Sequence, residues 1–229
     1  MKVAILQFPG SNCDWDSEHA VNDVLGIPAK RIWHKDKLPS EAEAVIVPGG
    51  FSFGDYLRCG AIARFSPIMK DLLEFADMGG PVLGICNGFQ ILCESGLLPG
   101  ALVRNDCIDF RCINQPLLVE NSNQIFNQAN LGESLTLPIA HGEGNYRADE
   151  STLASLEENG QVLFRYSGNP NGSINDIAGI RNKAGNVYGM MPHPERAVSP
   201  HHPCMDGLPV LEAFFGFLLS DRPVEIKSS

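Results

Sequence analysis

The chain has 229 residues, of which 44% are hydrophobic and 19% charged, enough to bury a sizeable core as one α/β unit, and no linker or composition break suggests a second domain. Its 17 basic and 27 acidic residues leave a formal net charge of −10, which argues against nucleic acid or an anionic membrane surface as partner. No 18-residue apolar run offers a membrane span, Val3-Ala4-Ile5-Leu6 is too short for the core of a secretion signal, and seven irregularly spaced cysteines make no disulfide framework; a reducing, cytoplasmic setting is expected.

Taken in chain order, Val3 to Leu6 reads as a first buried strand, Asp16 to Leu25 as a helix, Arg31 to His34 as a short second strand and Ala44 to Val47 as a third. The third strand runs into a Gly-rich loop, Pro48 to Asp55. A helix from Ala61 to Ala76 follows, interrupted near Pro67, and then the apolar run Pro81 to Ile85 reads as a strand, with a helix beginning at Phe89. The alternation of strands and helices predicts an open, mostly parallel sheet with helices on both faces and functional loops at the carboxyl ends of its strands. The second half is richer in strands: Leu117 to Val119, Ser134 to Ile139, Gln161 to Tyr166, Ala178 to Arg181 and Val187 to Met190. Helices are expected at Thr152 to Glu158 and Leu208 to Leu219, and a loop from Ser167 to Asn175.

Between the fourth strand and its helix lies Gly84-Ile85-Cys86-Asn87-Gly88. This is the glycine-flanked nucleophile elbow with sulfur in place of oxygen. Both glycines have a mechanical reason to be there, because strand and helix pass close together while the central residue is held in a strained conformation. A thiol at a helix N-terminus feels the positive end of the dipole, and a neighbouring imidazolium would favour the thiolate further. The far segment Pro192-His193-Pro194-Glu195 supplies such a group: its prolines bias it toward extended backbone, so that Glu195 can fix one tautomer of His193. An oxyanion formed by attack on a carbonyl needs donors. The amide of Asn87, directly after the nucleophile, and that of Gly50, or alternatively Phe51, are the candidates.

Other ligand-type residues are less suggestive. His201, His202 and Cys204 lack a second pair at metal-binding spacing, so no metal is expected. Nor is there a phosphate-binding glycine loop of either common type.

The segments Gly84-Ile85-Cys86-Asn87-Gly88-Phe89-Gln90 and Pro192-His193-Pro194-Glu195 resemble those of the class I (triad) glutamine amidotransferases. Within that class, Pro9 to Asp14, Pro48 to Ala61, His141-Gly142-Glu143-Gly144 and Met190 to Arg196 are similar to the glutaminase subunits of phosphoribosylformylglycinamidine synthase, over most of the chain. The resemblance implies a flavodoxin-like core and hydrolysis of glutamine through a thioester on Cys86, with His193 as proton donor and water activator and Glu195 orienting it. It also implies a glutamine pocket lined by Gln90, His141, Gly142 and Glu143. It implies no cofactor on this chain, but a large synthetase subunit carrying ATP and magnesium, with a small accessory subunit; Asp55, Tyr56 and Arg58 are candidates for the face toward it. A stand-alone γ-glutamyl hydrolase would share the cysteine and histidine and be fully active alone. A redox-sensing protein with an elbow cysteine would not need Pro-His-Pro-Glu.

Overall fold

Three of the strands nearest the elbow are apolar and buried along their whole length, the pattern of parallel strands covered on both faces. They belong to the structure, a computed structural model that describes residues 1–120 and 131–216. Strands β1 (Val3–Gln7), β2 (Ala29–Trp33), β3 (Ala44–Val47), β4 (Val82–Ile85) and β11 (Val187–Met190) lie in the order β2-β1-β3-β4-β11, every neighbour parallel. That is the doubly wound order, with the switch point between β1 and β3. The steps β1 to β2 and β3 to β4 run in opposite directions across the sheet. With right-handed crossovers, helices α1 (Asp14–Glu18) and α2 (Ile68–Asp77) therefore cover opposite faces.

The sheet continues beyond β11 as an antiparallel extension of β10 (Ile177–Arg181), β9 (Val162–Tyr166), β6 (Arg111–Val119) and β7 (Ser134–His141). Its role is positional: it carries the Ala140 carbonyl up to Cys86 at the end of β4, and the Pro138 carbonyl and His141 up to His193 beyond β11. A separate ribbon pairs β5 (Ala101–Val103) with β8 (Asn145–Arg147). Both strands are too short to show a period, and the sequence reading passes over them. That reading also shortens β6, because its outer half, from Arg111 to Asn114, is exposed or half-buried and polar enough to resemble a loop.

Local differences have local causes. The first helix begins at Asp14 and loosens into a π-helical stretch, His19–Val24, closed by a bond from Leu25 N–H to the Ala20 carbonyl. The expected Ala61 to Ala76 helix is a 3₁₀ turn, Ala63–Phe65, followed by α2, because Pro67 is pre-set for a helix start and bars the helix from running through. Helix α4 (Glu150–Glu158) starts earlier than expected because Asp149 caps it, accepting from the Thr152 N–H at 2.7 Å. Helix α5 (Gly207–Phe214) matches the start of the last expected helix; the remainder of that expectation, from Phe217 to Leu219, lies outside the described residues. The expected loop Ser167 to Asn175 is interrupted at its end by a 3₁₀ turn, Ile174–Asp176.

Helix α3 (Asn87–Glu94) follows β4 with a single residue between them. It lies so close to β3 that a methyl group on Gly88 would stand 1.8 Å from the Val47 carbonyl oxygen, and one on Gly84 would meet Gly88 itself at 2.8 Å. Gly88→Ala is therefore expected to lower unfolding free energy by about 3 kcal/mol, as read by denaturant melts. A change below about 0.5 kcal/mol, the scale of a neutral surface substitution, would mean that helix and strand do not approach this closely.

Candidate active site

Cys86 occupies the one-residue turn between β4 and α3, with φ 51° and ψ −106°. A non-glycine residue in that region stores about 1–3 kcal/mol of strain. The surroundings enforce it: the Cys86 N–H donates to the Met190 carbonyl at 2.8 Å, extending the β4–β11 ladder, while its own carbonyl accepts from Gln90 N–H at 3.1 Å as the first bond of α3. The side chain is buried, with Sγ 3.7 Å from the Ala140 carbonyl.

His193 follows β11 and is fixed through its backbone N–H, which donates to the Pro138 carbonyl of β7 at 2.8 Å. Its Nδ1 lies 2.7 Å from Glu195 Oε1, and both side chains are buried. The geometry differs from expectation in one respect: Pro194–Arg196 is a 3₁₀ turn, not extended backbone. Proline at the first position of a turn is as well accommodated as in a strand, and the turn swings the Glu195 carboxylate back onto the ring. Burial, the largest influence, favours the neutral imidazole. The Glu195 carboxylate and the sulfurs of Cys86 and Cys13 outweigh it, and the pKa of His193 is held well above its ordinary value. Nε2 has no hydrogen-bond partner among the described residues.

Cys86 and His193 line one cavity of about 220 Å³, together with Asn12, Cys13, Gly50, Phe51, Phe110, Ala140 and Arg196. Gly49 closes one wall so tightly that a methyl there would come within 2.9 Å of His193 Cε1, 3.0 Å of Cys13 Sγ and 3.4 Å of Cys86 Cβ. Of the two candidate donors on this loop, Phe51 N–H is already committed to the Gly10 carbonyl at 2.9 Å. Gly50, at φ 146°, carries the remaining amide.

Asn87 does more than follow the nucleophile. Its Oδ1 accepts from the buried Ser52 N–H at 3.1 Å, and its Nδ2 donates to Gln90 Oε1 at 2.9 Å and Asp55 Oδ1 at 3.3 Å. Gln90 Nε2 in turn donates to the Glu143 carbonyl at 2.7 Å, and Glu143 Oε2 accepts from Cys59 N–H at 3.4 Å. One network thus ties the elbow helix to the Ser52–Cys59 loop and to the His141-Gly142-Glu143 segment. Within it, burial raises the Asp55 carboxyl above the ordinary range, with Glu143 adding to the effect. His141 stands apart. It is buried, neither ring nitrogen has a partner among the described residues, and burial with the His193 charge lowers its pKa to about 4, so it is neutral at pH 7.

Residues 1–205 match the CobB/CobQ-like glutamine amidotransferase domain. The chain is 58% identical over 214 residues to phosphoribosylformylglycinamidine synthase subunit PurQ of Nostoc sp., a match covering 93% of this chain and 96% of that protein. This chain belongs to the PurQ family. The subunit of the same name from Synechococcus elongatus is 60% identical over 209 residues, 91% of this chain and 95% of that protein. Among solved structures, PurLQS from Thermotoga maritima contains a chain with TM-score 0.85 and 42% identity, covering 95% of this chain and 98% of that one.

Sequence reasoning missed two features of this PurQ-family site. Cys13 lies at the start of α1, its N–H donating to the Gly49 carbonyl at 3.2 Å and its carbonyl accepting from Ser17; the only signal was its place in the Pro9 to Asp14 segment. Arg196, on the cavity rim, is paired with Asp16 at 2.9 Å, a contact no local pattern announces. His201, His202 and Cys204 do not come together as ligands: His202 Nδ1 accepts from Val198 N–H, and Cys204 donates to the Thr136 carbonyl. No helix among the described residues is long and apolar enough to cross a membrane.

Proposed function

We propose that this chain is the glutaminase subunit of phosphoribosylformylglycinamidine synthase, acting as one catalytic domain with Cys86, His193 and Glu195 as its triad. The observation that carries this reading is that His193, backed by the buried Glu195 carboxylate, lines the cavity that also holds the strained elbow cysteine. Cys86 sulfur attacks the side-chain amide carbon of glutamine. The Gly50 and Asn87 amides receive the oxyanion, and His193 passes its proton to the departing ammonia, leaving a glutamyl thioester. His193, now neutral, takes a proton from water, whose oxygen attacks the thioester; glutamate leaves and the thiol is restored. Gln90, His141, Gly142 and Glu143, the glutamine-pocket residues that the family resemblance implies, are not among the residues lining the cavity of Cys86 and His193; they back it, with Gln90 holding the Glu143 carbonyl in place.

Ammonia formed here is delivered to a synthetase subunit, which with ATP and magnesium converts formylglycinamide ribonucleotide to formylglycinamidine ribonucleotide in purine biosynthesis in the cytoplasm. PurL and PurS are the corresponding partners in the relative's PurLQS complex. The Ser52–Cys59 loop is suited to report docking: Tyr56 is 73% and Leu57 94% exposed, and the segment is tied to the elbow through Asn87 and to the end of α3 by Arg58, whose guanidinium meets Glu94 at 2.5 and 2.8 Å. Docking there would bias the alignment of the oxyanion donors.

Steady-state glutamine hydrolysis by the lone chain is therefore expected to rise about 10-fold or more when synthetase, accessory subunit, ATP and formylglycinamide ribonucleotide are added, within the usual range of coupling energies. A lone chain already as fast as the loaded complex would refute the gating and point to a γ-glutamyl hydrolase.

A further inference from the structure

Cys13 has no part in the triad, yet it is buried against it. One ligand atom from each of Cys13, His193 and Glu195 lies within 4.8 Å of the other two. Two atoms of these side chains, His193 Nε2 and Glu195 Oε2, are buried and have no hydrogen-bond partner among the described residues. The cluster opens on the cavity that Cys86 also lines, so a second sulfur stands at its edge.

The backbone holds these ligands in place. Cys13 is fixed by its bonds to Gly49 and Ser17, His193 by its bond to Pro138, and Gly49 packs against both side chains. A thiolate, an imidazole and a carboxylate, with a cavity position left for a fourth ligand, make the donor set and coordination number that suit Zn²⁺, and the soft sulfur disfavours Mg²⁺ or Ca²⁺. We propose that Cys13, His193 and Glu195 form a zinc-binding site at the base of the catalytic cavity, where a bound ion blocks turnover.

Binding replaces protons. The Cys13 thiol, raised mainly by burial, gives up its proton to form a Zn–S bond, and the His193 imidazolium gives up one to form a Zn–N bond, so two protons leave for each ion bound. The groups facing these ligands are Cys86, Glu195, His141 and Arg196. Among the described residues Arg196 is the one opposing fixed cation, and its pairing with Asp16 offsets its charge.

The claim that the ion blocks turnover rests on the glutaminase reading; the claim that it binds does not, so the test measures binding on the full-length chain without substrate. Metal-free protein is titrated with ZnCl₂ against a chromogenic chelator, and with CoCl₂ to follow the thiolate-to-cobalt absorption band. One ion per chain is expected, with that band present, and with affinity falling on the order of 100-fold in both Cys13→Ser and His193→Ala. Because Cys13 is buried, its variant could unfold. Alkylation of the unmutated chain followed by mass spectrometry covers that case, with zinc expected to slow labelling of Cys13 and Cys86. Stoichiometric binding that leaves Cys13 and Cys86 unprotected, or that persists in both variants, would assign the ion to the other thiols and overturn the site. No binding at micromolar zinc would overturn it as well. Zinc that binds as described without slowing glutamine hydrolysis would sustain the site and reject its effect on turnover.

Discussion

Cys86→Ala is expected to reduce glutamine-dependent synthesis by about 10⁴-fold or more, because no thioester can form, while the reconstituted complex keeps its rate with added ammonium. The two outcomes separate because the glutaminase and synthetase reactions occupy different chains. The substitution also relaxes little: alanine must adopt the same φ of 51° that β4, β11 and α3 impose on cysteine, so the turn should persist. Titration with a glutamine-analogue electrophile checks the same assignment covalently. The adduct should lie on Cys86, and labelling of Cys59 would contradict it. Cys59 is a poor competitor, since burial and the nearby carboxylates of Asp55 and Glu143 push its thiol far up. Loss of ammonium-dependent and glutamine-dependent rates together, in a complex that still assembles, would mean that the two reactions share a site.

His193→Ala is expected to approach the loss seen for the nucleophile, and Glu195→Gln to cost less, because an amide of the same shape still hydrogen-bonds to Nδ1. A Cys86→Ala, His193→Ala double variant should be scarcely slower than either single one, since the two residues act on one transition state; additive losses would exclude that. The acid limb and the basic limb of the rate profile carry a separate test. The pKa of His193 is raised in the folded chain against the pull of burial, chiefly by the Glu195 carboxylate and then the Cys86 sulfur. The imidazolium, and the stability its ion pair contributes, is fully present below the unfolded value near 6.5 and is lost as pH rises through the higher folded value. Glu195→Gln removes the main cause of the upward shift, so the basic limb of kcat should move to lower pH. A limb that stays in place would show that Glu195 acts only by shape.

The close approach of β4 and α3 around Cys86 was legible because its requirements are local. A strained residue between strand and helix needs glycines two positions on either side, and Gly84 and Gly88 stand there against Leu92 and Val47. The parallel strands β1, β3, β4 and β11 were legible for the same kind of reason, as short apolar runs buried on both faces. Legibility failed where a segment was short or half-exposed, as in β5, β8 and the outer part of β6, and where a turn and a strand place the same two residues together, as at Pro194.

By itself the sequence determined the elbow, the cysteine at its centre, the His193–Glu195 pairing and the alternation that makes an α/β sheet, because each depends on steric and periodic rules acting over a few residues. Only the tertiary structure decided that β11 lies beside β4 and so carries His193 to the cavity that holds Cys86, that Asn87 fastens the Ser52–Cys59 loop to the elbow, and that Cys13 meets His193 and Cys86 beside Gly49. Those distances follow from strand order and from packing between segments far apart in the chain, and no pattern read within one segment contains them.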